Sequence, residues 1–167
     1  MGLFRTIAVL TVTTSAAYGA SAADLPDAIV ANGEAIVLQV HAVGAQIYEC
    51  KADPNGRIAW QFREPIASLL RDGKTVGRHF AGPTWVVEGS VVVGKAVGHA
   101  PGATAKDIPW LKLDAVNKQG DGPLKDVTTV QRINTVGGSF DGGCEKTGDL
   151  HAEPYAADYV FLKRASQ

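Results

Sequence analysis

The sequence predicts an all-β domain, either an antiparallel β-sandwich or a small β-barrel, with one short helix and one disulfide. Two observations carry this. Stretches in which apolar and polar residues alternate are separated, at intervals of about ten residues, by Gly, Pro, Asn and Asp, and no long stretch holds a 3.6-residue period. The chain also holds two cysteines, Cys50 and Cys144, in 167 residues of which 46% are hydrophobic, enough for one core without many bridges.

The first 23 residues read as a secretory leader. Arg5 supplies the positive start, Ile7 to Val12 the short apolar core, and Ala20-Ser21-Ala22-Ala23 the small residues preceding cleavage. That apolar run is well short of the roughly 20 residues a membrane span requires, and nothing downstream is long enough either. Residues 24–167 are then a single β-rich domain, secreted or periplasmic. In an oxidising compartment an even pair of cysteines predicts the Cys50–Cys144 disulfide; a catalytic thiol or a metal pair would need a C-x-x-C or a neighbouring histidine, and neither is present.

Ile36, Leu38, Val40 and Ala42 alternate with Val37, Gln39 and His41, which predicts a strand broken at Gly44. Gln46–Lys51 and Arg57–Phe62 flank Asp53-Pro54-Asn55-Gly56, the clearest hairpin signal in the chain. Glu64–Leu70, with Pro65 near its start, is expected to be the short helix. Trp85–Val87 and Ser90–Val93 face each other across the two-residue turn Glu88-Gly89, after which Gly94, Gly98 and Pro101 mark a loop. Ile108–Val116, Asp126–Val136 and Tyr155–Lys163 complete the expected strands, the last with Tyr159 and Phe161 on one face and Val160 and Leu162 on the other. The glycine-rich stretch Gly137–Gly143 is expected to be a loop tethered by the disulfide.

Formal net charge is −1 and no basic stripe is present, which argues against a nucleic-acid partner. Gly137-Gly138-Ser139-Phe140-Asp141 misses the final glycine of a nucleophile elbow, and no glycine-rich nucleotide loop appears. None of His41, His79, His99 and His151 stands at metal-ligand spacing from another, so neither metal nor cofactor is expected.

An ordered set of motifs spans nearly the whole mature chain: Gly44-Ala45-Gln46-Ile47-Tyr48-Glu49-Cys50, Trp60-Gln61-Phe62, Gly77-Arg78-His79-Phe80-Ala81-Gly82-Pro83-Thr84-Trp85, Glu88-Gly89-Ser90, Ile108-Pro109-Trp110-Leu111, Gln131 to Gly138, and Tyr155 to Phe161. Together they resemble the signature of an exported bacterial and fungal family known only as a domain of unknown function. The resemblance implies export and a compact β-rich domain, and transfers no catalytic residue. It also points to two departures, Glu88 where relatives carry Asp and Lys112 where they carry Leu.

His79 stands out because it precedes the Gly82-Pro83 turn and lies near Trp85; an imidazole beside aromatic surface can have a depressed pKa. Trp60, Trp85 and Trp110 read as large core residues at strand positions, or else as the wall of a small-molecule pocket, and Arg132, within a β-branched strand, as paired with a carboxylate or on a solvent face, or else as the partner of an anionic ligand. The leading expectation is a non-catalytic exported domain that binds a small molecule or cell-envelope component through His79, Trp85, Trp110 and Arg132. The alternatives are a hydrolase or isomerase using His79 and Glu88 as an acid/base pair, and a structural envelope protein with no ligand.

Overall fold

The computed structural model describes residues 25–165, so the expected leader lies outside the described residues. A short 3-10 turn, Asp27–Ile29, precedes eight strands: β1 (Glu34–Ala52), β2 (Ile58–Arg71), β3 (Lys74–Phe80), β4 (Thr84–Val87), β5 (Ser90–Ala100), β6 (Trp110–Gln119), β7 (Thr129–Gly137) and β8 (Leu150–Arg164). Each strand pairs antiparallel with the next, and β8 returns to pair with β1, closing a barrel. Of the two expected all-β architectures the chain adopts the barrel. The β3–β4 hairpin is short, so it pairs with β2 only over Ala67–Arg71 and with β5 only over Ser90–Val93.

The Glu64–Leu70 stretch is not a helix. It is the second half of β2, in which Pro65, Ala67 and Leu69 are buried while Ile66 and Ser68 face out. The two-residue period prevails over the proline signal because Pro65 lies opposite Gln46, beside an irregularity in register at Ile47/Tyr48. Nor does Gly44 end a strand: β1 runs through it for 19 residues. A Cβ there would collide with the Ile66 carbonyl and with Ala67, so this glycine permits close approach of two backbones. Likewise β5 continues through Gly94 and Gly98, and β3 carries no strong strand signal in its own sequence.

The Asp53 hairpin forms as expected, with the Asp53 carboxylate accepting bonds from the backbone N–H groups of Asn55 and Arg57. Glu88 and Gly89 both take positive φ, 44° and 82°, as a primed two-residue turn requires.

Turns at one end of the barrel join β2 to β3, β4 to β5 and β6 to β7. This end is closed: Leu124 and Val127 are wholly buried, and the Ser90 hydroxyl both donates to Val87 O and accepts from Leu124 N, pinning the β6–β7 connection beneath the core. The opposite end is ringed by the β1–β2 hairpin and the loops 81–83, 101–109 and 138–149. Outside the barrel wall, Ile29 of the 3-10 turn covers Ile133, Val160 and Leu162, with Trp110 packed alongside.

Cys50 and Cys144 form the expected disulfide, their Cα atoms 5.9 Å apart. It ties the 138–149 loop to β1, and backbone bonds from Cys50 N to Asp149 O, Gly148 N to Cys50 O and Trp60 N to Gly142 O seat that loop on the rim.

Candidate functional site

Alternation along the strands sends one residue in two into the barrel, and in the half nearest the open end these side chains do not fill the space. A cavity of about 610 Å³ remains, reaching from Leu113 and Tyr159 up to a mouth formed by Phe62, Ala81, Pro83, Pro109 and Ser139. Phe62 is 55% exposed, unusual for a ring that points along the inward face of its strand. Eight-stranded barrels have room for side chains plus one small ligand.

His79 on β3 and Trp85 on β4 are register partners and both face inward. Their rings stack at 4.7 Å between centroids and 8° between planes, with Tyr159 tilted against the imidazole at 4.9 Å. The His79 Nδ1 lies 2.9 Å from Thr84 O; since a carbonyl only accepts, Nδ1 carries the proton and donates. That leaves Nε2 as an acceptor. Burial lowers the His79 pKa to about 4, partly opposed by the Thr84 bond and reinforced by the Arg132 charge, so the ring is neutral at pH 7.

Arg132 on β7 is half-buried and lies opposite Tyr159 of β8. Its Nε donates to Pro109 O at 3.0 Å, which fixes the guanidinium at the cavity wall. The charge is felt at Tyr48, His79, Tyr155 and Tyr159, so it sits centrally among the inward polar groups. Burial raises the pKa of all three tyrosines, keeping them as hydroxyls.

Several donors in this region have no partner. The Gln46 Nε2 and the Trp85 Nε1 are buried without a hydrogen bond, and the hydroxyls of Tyr155 and Tyr159, which lie close to one another and to Arg132, are buried without one of good geometry. Buried polar groups are ordinarily satisfied, and of these four residues Gln46, Trp85 and Tyr159 line the cavity. Tyr48 differs, since its hydroxyl donates to Gly138 O at 2.7 Å and accepts from Phe140 N at 3.2 Å, which moors the 138–149 loop beside the mouth.

Of the residues singled out in the sequence, His79, Trp85 and Arg132 therefore share one cavity. Trp110 does not line it; it faces outward, against the cluster under Ile29. Glu88 stands three residues beyond Trp85 along β4, about 10 Å at ordinary strand rise, in the turn at the closed end. There it pairs with Arg71 at 2.9 Å. His79 and Glu88 are thus not brought together. His41 pairs with Asp158 at 2.8 Å on the outer surface and His151 with Glu153 at 2.9 Å at the rim. Among the described residues, no three His, Cys, Asp or Glu side chains gather as a metal would need.

Gln46, Tyr155 and Tyr159 were not among the sequence candidates. The signal for Gln46 was its position in phase with Leu38, Val40 and Ala42, which a break at Gly44 concealed.

The class defined by this architecture is a small eight-stranded up-and-down barrel, closed at one end and open into a cavity at the other. The chain belongs to the family described as "Protein of unknown function (DUF3455)", whose model matches residues 31–163 and so covers every strand but the last residue of β8. Neither the curated proteins nor the solved structures contain a match to it.

Proposed function

We propose that this protein is an exported, non-catalytic binding domain that takes one small molecule into the open end of its barrel. The observation that carries the reading is an open cavity of about 610 Å³ in which the Gln46 Nε2 and Trp85 Nε1 stand buried and unpartnered. Each orphan costs stability that a bound molecule's acceptors would return. The His79–Trp85 stack gives the same space a flat apolar wall. A hydrolytic role through His79 and Glu88 lacks support, because the two lie at different levels of the barrel and Glu88 is engaged by Arg71. Export fits the disulfide, which persists in oxidising compartments.

Titration with N-phenyl-1-naphthylamine, a neutral fluorescent probe, tests the reading. Saturable binding at one site per chain is expected, with loss of binding in Ala96→Trp, which sets an indole at the exposed β5 edge of the cavity. Binding that is not saturable, or that Ala96→Trp leaves unchanged, removes it.

A further inference from the structure

We infer that the molecule held in the barrel is an apolar one bearing a single carboxylate, which Arg132 receives at the cavity wall. This rests on the binding reading above. The charge balance of the cavity is its basis. No residue lining the cavity is acidic, and the charged ones are Arg63 and Arg132. Arg63 is already matched by Glu64 at 3.2 Å and Glu49 at 3.9 Å. Among the described residues no carboxylate comes within 4.0 Å of Arg132.

A half-buried guanidinium without a counter-charge is costly, and its planar fork matches a carboxylate in a two-bond geometry. With Nε spent on Pro109 O, the two terminal nitrogens are the ones left to make that fork. Tyr159, register partner of Arg132, is 1% exposed and sets its hydroxyl beside the guanidinium. Tyr155 carries a second buried hydroxyl beside the first, and Gln46 adds an unpartnered amide donor. Phenols are donors to an anion, and every one of these groups suits an acceptor-only head. Away from this corner the lining is Trp85, Leu111, Leu113, Pro65 and Phe62, which calls for a hydrocarbon or aromatic body.

The same balance disfavours the other heads. An amine would meet one unbalanced cation and no acid. A phosphate monoester brings close to two charges for a single guanidinium, leaving one of them desolvated without a partner.

Calorimetric titration of the mature protein with decanoate, 1-decanol, decylamine and decyl phosphate, all below their micelle concentrations, decides the matter. Decanoate is expected to bind at least about tenfold more tightly than 1-decanol, the worth of hydrogen bonds to a charged group. Arg132→Gln is expected to remove that advantage while leaving 1-decanol unchanged, and Tyr159→Phe, which keeps the ring, to reduce it severalfold. The second variant serves if the first does not fold. Equal affinities for decanoate and 1-decanol, a preference for the amine or the phosphate, or an equal loss for acid and alcohol in the variants would overturn the carboxylate while sparing the binding domain. If none of the four binds and the neutral naphthylamine does not either, the cavity is not a binding site and both readings fall.

Discussion

The imidazole of His79 lies flat on the indole of Trp85, 4.7 Å between centroids, and donates from Nδ1 to the carbonyl of Thr84, the residue just before that indole. One hairpin therefore supplies the ring, the surface it stacks on and the acceptor that sets its tautomer. The His79 pKa falls from 6.5 to about 4 because burial penalises the imidazolium.

This depression sets a pH dependence. The folded-state pKa lies below the unfolded one, so as pH falls the unfolded chain takes up the proton first. Stability contributed by neutral His79 is complete above about pH 6.5, declines toward pH 4 and is level below it. The full span is worth about 3 kcal/mol at 1.36 kcal/mol per pH unit. Comparing chemical unfolding of the wild type with His79→Asn between pH 7 and pH 4 isolates it, since the other titrating groups are common to both. The expected result is a steeper acid loss in the wild type, with the His79 ring proton shifts in NMR unmoved down to pH 5. Parallel stability curves would contradict it.

Gly94 shows how tightly the lower wall of the cavity is fitted. A Cβ there would stand 2.9 Å from Cζ3 of Trp85 and 3.2 Å from Leu113 Cδ2. Gly94→Ala is expected to destabilise by about 1 to 3 kcal/mol through overpacking. It should also displace the indole, read as a shift in tryptophan emission and a weaker naphthylamine signal. A variant as stable as the wild type with unchanged emission would show that Trp85 has room to yield.

The fold was more legible than the site, and for a physical reason. Strand existence follows from alternation, which is local, so β1, β4, β6, β7 and β8 could each be read from their own residues. Closure depends on β8 returning to β1 across more than a hundred residues of chain, and no local pattern distinguishes that from two stacked sheets. The Glu64–Leu70 error arose where two local signals disagreed and inward packing of Ala67 and Leu69 prevailed. The site was partly hidden because it is made of inward phases from separate strands. His79 and Trp85 sit on one hairpin and could be paired by sequence, whereas Gln46, Arg132 and Tyr159 meet only once the barrel is closed. Trp110 was a reasonable candidate by type and sits in the wrong phase, facing Ile29 and not the interior.

The Cys50–Cys144 bridge spans 94 positions of chain. Constraining a loop of that length is worth about 4 to 5 kcal/mol in the chain-entropy treatment. Cys50→Ala combined with Cys144→Ala is expected to lower the denaturant midpoint accordingly and to keep the far-ultraviolet β signal, because all eight strands pair independently of it. A midpoint unchanged from the oxidised wild type would mean that the bridge adds nothing to stability.

The rim loop is held from a second side by Tyr48, whose hydroxyl is shared between Gly138 O and Phe140 N. Phe140 in turn stacks on His151 at 3.8 Å, beside Trp60. Tyr48→Phe retains the ring and deletes both bonds, leaving a carbonyl and an N–H to find water at the mouth, at a cost of about 1 to 3 kcal/mol. The loss is expected to be felt in the loop before the barrel. Lys146 lies on the exposed arc of that loop, so trypsin should cut after it faster in Tyr48→Phe than in the wild type; Cys50 and Cys144 both precede the cut, so the piece beginning at Thr147 separates on a denaturing gel with or without reductant. Cleavage at equal rates would assign the mooring to the bridge and the backbone bonds alone.

On the outer wall the 3-10 turn is fastened by two side chains of the barrel. Gln131 Nε2 donates to Ile29 O at 2.6 Å, and Lys112 Nζ to Val30 O at 2.9 Å. Lys112 anchors the segment that roofs Ile133 and Val160. Lys112→Leu leaves Gln131 and the Ile29 contact in place, so the global stability change is expected to stay within about 1 kcal/mol, the worth of one partly solvated bond. Gln131→Leu removes a bond that is buried, orphans the Ile29 carbonyl and is expected to cost about 1 to 3 kcal/mol. Amide exchange at residues 29–33 should quicken in both, more in Gln131→Leu, while amides of β7 facing β8 keep their protection. Exchange unchanged in both variants would mean that burial of Ile29 alone holds the segment down.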